Sequence, residues 1–377
     1  MRGGAPGENP ARLAVGPMSK NTVEAVVAVA YRRNKPMMLI PSRRQVEAES
    51  QGSGYVEGWN TRTFAQYVRS RDPEGLLMLC RDHGGPYQNT AEIRDRYTVA
   101  EAMSSALESL REDVVAGFHL LHIDTSAGGA DEPEIGTAID RAVDLYGRVA
   151  DFAESVGRRP LFEVGFEAQG VETNDPDEFA EQVGEMVRRL RTEGLPLPTF
   201  VVAQTGTKVV ETSNIGRLRA TPEQVSANIR KLADVVARYG MSLKAHNCDY
   251  LSHADLMQLI RGGVVAINIA PELGVAETRA FLQILNELGL TYETDRFLQL
   301  AYDSLAWRKW LAPDSAASTT ERAVMAGHYV YNSAEFQEIK KSAQEAAYPA
   351  DIDGSLRRRL ENVIESYAHA LTPLAVA

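Results

Sequence analysis

An aspartate and a histidine stand side by side in Leu79-Cys80-Arg81-Asp82-His83-Gly84-Gly85-Pro86. A neutral imidazole binds a divalent ion, and a neighbouring carboxylate moves a proton on a substrate that such an ion polarises. The two glycines and the proline behind the pair allow close backbone approach and delay the next helix. Further polar clusters follow other apolar runs: His122-Ile123-Asp124, Glu167, Gln204, His246-Asn247 and Asn268. This set points to a metal site built from His83 and His246, with Glu167 or Asp124 as carboxylate ligand, and to Asp82, Glu167 and Asp124 as the proton-transfer candidates. Nitrogen and oxygen donors of this kind suit zinc first, with manganese or cobalt as alternatives. The plainer readings are that Asp82-His83 is a turn feature and that His122 is a core histidine satisfied by its carboxylate neighbour.

Residues so far apart in the chain share a site only if the fold gathers them. Eight apolar, β-branched-rich runs do this: Arg12–Gly16, Pro36–Pro41, Leu76–Arg81, Phe118–Ile123, Leu161–Gly165, Thr199–Ala203, Ser242–Ala245 and Val264–Ile269. Amphipathic stretches of helical period lie between them, among them Ala100–Ala116, Asp177–Arg191 and Glu223–Tyr239. The layout predicts a (β/α)8 TIM barrel over residues 12–290, whose C-terminal strand ends converge on one mouth. Alternation places His122 with Asp124 on one face of the fourth run, and Glu163, Gly165 and Glu167 on one face of the fifth. Two carboxylates in one barrel interior are costly unless an ion or hydrogen bonds compensate them. The Gln204–Thr207 turn, Ser213-Asn214 and the basic residues Arg43, Arg81 and Lys244 are candidates for holding an anionic group of a substrate.

At 377 residues the chain exceeds the roughly 250 of a typical barrel of this kind. Residues 1–11, rich in Gly and Pro, read as a disordered tail. Thr278–Leu288 reads as the barrel's closing helix, and 291–377 as a mainly helical extension packed on the barrel. The aromatic segments Trp307–Leu311 and Gly327–Tyr331 fit ordinary core aromatics, with capping of a barrel end or an oligomer contact as alternatives. The net charge of −11 comes from acidic and basic residues mixed along the helices, which argues against a nucleic-acid or anionic-membrane surface. Cys80 and Cys248 make no spaced framework and read as reduced barrel residues. No apolar run is long enough to span a membrane and the N-terminus lacks a signal-peptide core, so the expected location is the cytoplasm.

In order along the chain, Met78–Pro86, Ala116–Ser126 (AGFHLLHIDTS), Gly165–Glu167, Gln204–Gly206 with Ser213-Asn214-Ile215, and Ala245–Tyr250 (AHNCDY) resemble the tagatose-1,6-bisphosphate aldolase Z-type subunit family. Gln45-Val46 with Gly54-Tyr55 is similar to the early segment of that family. The resemblance spans roughly Val15 to Ala280 and implies kinship with class II, metal-dependent ketose-bisphosphate aldolases. It implies a proton-transfer role for Asp82, metal binding by His83 and His246, and substrate contacts at Gln45 and Asn268. Three departures mark a divergent member. Gln204 occupies the neighbourhood of the remaining metal histidine of the aldolases, and Asn268 and Ile40 stand where Z-type subunits carry Lys and Glu.

Three functions follow from these readings. One is a metal-dependent aldolase or epimerase acting on a ketose or ketose phosphate by proton abstraction and retro-aldol-type chemistry. The second is a non-catalytic subunit that stabilises a class II tagatose-bisphosphate-type aldolase, with homo-oligomers as a further possible assembly. The third is another barrel chemistry, such as a lyase of a specialised route.

Overall fold

Each apolar run forms a strand of one sheet, because side chains buried on both faces need helices outside and packed layers within. The computed structural model describes residues 12–129, 132–165 and 170–371. In chain order the strands are β1 (Arg12–Val15), β2 (Met37–Leu39), β3 (Leu77–Arg81), β4 (Leu120–Asp124), β5 (Leu161–Gly165), β6 (Phe200–Ala203), β7 (Val209–Val210), β8 (Ser213–Asn214), β9 (Ser242–Ala245) and β10 (Val264–Ile269). β7 and β8 form a small antiparallel hairpin beside the mouth, and the other eight close a parallel barrel in which β10 pairs back to β1. The tail 1–11 and Glu167 lie outside the described residues.

Strand alternation decides what enters the barrel. Ala14, Met38, Ile40, Cys80, Leu120, Phe200 and Ala266 point inward and fill its lower layers. Two residues further along the strands, the same parity brings His122, Glu163 and Lys244 into the interior and Asp82, Asp124, His246 and Asn268 to the mouth. The opposite parity sends Leu79, Leu121, Ile123, Leu243 and Ile267 into the layer between strands and helices. Cys80 and Cys248 are buried and form no disulfide.

The helices begin where sequence supplies a cap. Thr98 and Glu101 form a capping box on the helix Val99–Ala116, Ser252 and Asp255 another on His253–Arg261, and the side chain of Ser19 caps Lys20–Arg33. The closing helix differs from expectation. The helix after β10, Pro271–Glu287, starts earlier than Thr278 and turns its Phe281 and Leu285 into a second core with the C-terminal helices. The ring position beside Lys20–Arg33 is filled by the last helix, Ile352–Ala370, whose Leu360, Ile364 and Tyr367 join the main core. The apolar stripe of Ile352–Ala370 matches that gap, so the C-terminal helices are part of the barrel's packing. No helix among the described residues is long and apolar enough to cross a membrane.

Candidate metal and proton-transfer site

β3 ends at Arg81, and Asp82 and His83 follow at once, His83 in the left-handed region at φ 46°. That turn holds because the backbone N–H of His83 donates to His122 Nδ1 at 3.2 Å and the N–H of Gly84 donates to the His122 carbonyl at 3.0 Å. The loop then lies directly on β4. A Cβ on Gly84 would come within 2.5 Å of the His122 carbonyl oxygen, and one on Gly85 within 1.4 Å of the Asp124 carbonyl oxygen. The two glycines are therefore what allows β3 and β4 to present their polar ends together.

Asp82, His83, His122 and His246 each offer a donor atom within 4.8 Å of the others'. Asp82 is the hub: its Oδ1 lies 3.5 Å from His122 Nδ1 and 3.9 Å from His246 Nε2, and its Oδ2 lies 3.7 Å from His83 Nε2. Asn268 Nδ2 donates to Asp82 Oδ1 at 3.3 Å. Burial alone would raise the Asp82 carboxyl, but the imidazoles around it, the charged His83 first, hold it well below the usual carboxylate range.

Carboxylates behind the imidazoles set their tautomers. His83 Nδ1 lies 2.5 Å from Asp124 Oδ2, so the proton sits on Nδ1 and Nε2 is the atom available to an ion. Asp124 is fixed in turn by Gln88 Nε2 at 2.8 Å on the same oxygen and by Ser126 N and Oγ at 3.0 and 2.6 Å on the other. His246 Nε2 lies 2.9 Å from Glu163 Oε1, which leaves Nδ1 as its unprotonated atom. Glu163 Oε2 accepts from Lys244 Nζ at 2.6 Å. Burial opposes the Glu163 charge, yet Lys244 and the two histidines pull its carboxyl down to about 2. His246 is pushed down by burial against the pull of Asp82 and Glu163, and stays a neutral imidazole. Burial pushes His83 the same way, but Asp82 and Asp124 prevail and raise it to about 9. His122, whose Nδ1 accepts the His83 N–H, carries its proton on Nε2. That buried atom finds no hydrogen-bond partner among the described residues and faces Gly165, where a Cβ would stand 2.8 Å away.

The donor set fits a divalent ion: two imidazoles with carboxylate-fixed tautomers and an ionised carboxylate, with the third imidazole packed beside them, all at the C-terminal mouth. His83 and His246 are brought together as the sequence reading requires, with Asp124 behind His83; Glu167 lies outside the described residues. Lys244 and Asn268 are also in this constellation, Lys244 as the partner of Glu163 and Asn268 as a donor to Asp82, with its Oδ1 unpartnered.

Other candidates are placed elsewhere. Arg81 has the parity opposite to Asp82, so its guanidinium points out of the barrel and binds Asp113 through Nε at 2.8 Å and Nη2 at 2.7 Å. Arg43 is likewise paired with Glu47 and Glu92, both at 2.7 Å. Gln45 borders the mouth, but its amide accepts from Ser42 N at 2.9 Å and donates to the Pro17 carbonyl at 3.2 Å. Gln204 accepts from Gly170 N at 3.0 Å. Asn214 ties the end of β9, donating to the carbonyls of Asn247 at 2.8 Å and Asp249 at 3.0 Å, while Ser213 is exposed on the hairpin. The Gln204–Thr207 turn buttresses the same strand end, with Thr207 Oγ1 donating to the His246 carbonyl at 2.8 Å. Sequence reasoning passed over the pairing of Glu163, although its signal was present: Lys244 and His246 share a parity on β9 and face the β5 interior.

No known family model matches the chain. Its structure is similar to that of a probable tagatose 6 phosphate kinase from Sinorhizobium meliloti 1021, with 19% identity over 96% of this chain and 100% of the other and a TM-score of 0.74. It is also similar to a fructose-bisphosphate aldolase from Campylobacter jejuni, with 14% identity over 95% and 90% of the two chains and a TM-score of 0.52. At these identities what the likeness establishes is the fold, a closed (β/α)8 barrel with C-terminal helices.

Proposed function

We propose that this chain is a metal-dependent carbohydrate aldolase or epimerase that acts on a ketose or ketose phosphate. The observation that carries the reading is the convergence of Asp82, His83, His122 and His246 at the barrel mouth, with an orienting carboxylate behind two of the imidazoles. Both structural neighbours are named for phosphorylated ketoses, and one of them for aldol chemistry. The mouth retains a full set of acid–base and ligand groups, which a subunit acting only as a stabiliser has no need to keep.

His83 Nε2 and His246 Nδ1 would hold the ion, with the Asp82 carboxylate beside them. When bound, such an ion acidifies a sugar hydroxyl or the C–H beside a carbonyl. Asp82 accepts the released proton, and its low affinity for protons in the resting site keeps it ionised and ready. In a retro-aldol step the hydroxyl proton passes to Asp82, the oxygen it leaves becomes a carbonyl as the adjacent C–C bond breaks, and the electron pair of that bond stays with the ketone fragment as its enolate. Re-addition on the opposite face of the carbonyl, with the proton returned, resets a stereocentre. Asn268 donates to Asp82 and so holds the carboxylate toward the cavity.

Asp82→Asn keeps the shape and removes the base. In assays of a panel of ketoses and ketose phosphates with added zinc, manganese or cobalt, turnover should fall about 10²–10⁴-fold while folding stays near wild type. Full turnover in the variant would remove Asp82 from the chemistry. No turnover by the wild type, combined with activation of a co-expressed aldolase, would reassign the chain as a partner subunit.

A further inference from the structure

Beyond Asp82 and His83 the mouth continues into a cavity of about 230 Å³, on whose wall stand Arg44, Tyr55, Lys309, Trp310 and Tyr329. Arg44 also borders the adjoining cavity of about 400 Å³ that reaches His122 and Asp124. Lys309 belongs to the short 3-10 segment Ala306–Trp310, which the C-terminal helices carry over the rim. The Trp310 carbonyl accepts from Glu211 N at 2.7 Å, so this segment is anchored to the hairpin β7–β8. The Lys309 ammonium lies 4.8 Å from the ring centroids of both Trp310 and Tyr329. Those rings are themselves fixed, with Trp310 Nε1 donating to Tyr329 Oη at 3.2 Å and Tyr55 packed 4.8 Å from Tyr329. Arg44 donates from Nε to the Gln88 carbonyl at 3.2 Å, which orients its guanidinium, and among the described residues no acceptor is bonded to Nη1 or Nη2.

Neither Arg44 nor Lys309 makes an ion pair among the described residues, whereas the neighbouring buried arginines Arg43 and Arg81 are each matched to carboxylates. In a chain with 51 acidic and 40 basic residues, Arg44 and Lys309 also share a further cavity of about 550 Å³ that no carboxylate lines among the described residues, while Asp82 and Asp249 on the wall of the first cavity form an ion pair with neither. Burial first, and the charge of Arg44 after it, lower the Lys309 ammonium from 10.5 to about 7, and the Arg44 charge also reaches His83. Two like charges so placed repel each other, and an anion between them removes that cost while satisfying the open guanidinium donors. A neutral sugar would offer these donors hydroxyl acceptors but would leave the repulsion between the two cations in place.

We propose that Arg44 and Lys309 form an anion subsite that takes the ionised group of the substrate, a phosphate or a carboxylate, while its reacting end lies at Asp82 and His83. The assignment rests on the reading of Asp82 and His83 as the reacting end, and it gives the C-terminal helices a direct part in specificity. A guanidinium fork beside a flexible ammonium suits the several oxygens of a phosphate, and also serves the carboxylate of a sugar acid.

Isothermal titration of the full-length protein with inorganic phosphate, and separately with acetate, at constant ionic strength tests it. Arg44→Gln and Lys309→Gln should each weaken anion binding at least about tenfold, while Lys309→Arg restores most of it. The wild type treated with a chelator should bind the anion as the untreated protein does, which separates this subsite from the metal reading: binding survives there even if no ion is ever found. A preference for phosphate assigns a phosphorylated substrate, and a preference for acetate assigns a sugar acid, provided both Gln variants lose the signal. The proposal is overturned if neither anion binds, if the Gln variants bind as the wild type does, or if binding disappears on treatment with a chelator, since the anion then sits on the metal site.

Discussion

Replacing Glu163 by Gln changes one atom and should disable the metal site through a tautomer. In the wild type Glu163 accepts twice, from Lys244 Nζ at 2.6 Å and from His246 Nε2 at 2.9 Å. Gln has a single acceptor oxygen. Lys244 is buried and its ammonium only donates, so the Gln oxygen must turn to it and the NH₂ must face His246. His246 is neutral because burial outweighs its acidic neighbours, so it can answer by moving its proton from Nε2 to Nδ1. That movement removes the lone pair offered to the ion. The opposite Gln rotamer sets NH₂ against the buried ammonium and leaves a charged donor unsatisfied, at a cost of about 1–3 kcal/mol or more. That cost favours the first branch, on which metal affinity should fall about 10–100-fold, or roughly 1.4–2.8 kcal/mol. Competition titration against a chromophoric chelator reads the affinity, and ¹⁵N NMR of the metal-free protein reads the His246 tautomer independently of any loss of stability. An unchanged affinity, with His246 still protonated on Nε2, would refute the claim that Glu163 orients this ligand.

Other consequences concern protons. Metal-free His83 holds its second proton up to about pH 9, because Asp82 and Asp124 outweigh its burial, so an ion binding below that pH must displace a proton; apparent affinity should rise with pH toward 9, and calorimetry in buffers of different ionisation enthalpy should count close to one proton released at pH 7. Glu277 lies outside the site, buried with Ser19 Oγ at 2.5 Å and Asn21 Nδ2 at 2.8 Å, and burial raises its carboxyl from 4.5 to about 7 against those bonds. The folded state thus keeps a proton that the unfolded chain releases, and stability should fall as pH rises from about 4.5 to 7, by up to about 1.4 kcal/mol per pH unit. Denaturant titrations between pH 5 and 7 should show a flatter slope for Glu277→Gln, and equal slopes would contradict the assignment.

The barrel was legible because parallel strands buried on both faces leave unmistakable apolar runs, and every run predicted from the sequence coincides with a strand to within a few residues. Much of the mouth was legible for the same reason: polar residues that end an inward-facing row have nowhere else to go. Arg81 shows where proximity in sequence misleads. It adjoins Asp82, but a strand turns neighbours to opposite faces, and the inward Cys80 and Asp82 force Arg81 outward to Asp113. The carboxylate partner of each imidazole was harder to find, because Glu163 and Lys244 meet only through the β5, β6 and β9 registers. Arg44 and Lys309 were beyond sequence reasoning, since nothing local indicates that a segment after residue 300 returns to the rim. The same long-range packing let Ile352–Ala370 take the ring position beside Lys20–Arg33.

Elemental analysis of the purified chain by mass spectrometry tests the central claim most directly. With His83 Nε2 and His246 Nδ1 as ligands, the wild type reconstituted with zinc, manganese or cobalt and then desalted should retain about one divalent ion per chain, and His83→Ala and His246→Ala should each release it while remaining folded. Retention of a full equivalent by both variants, or of none by the wild type with all three metals, would contradict the account.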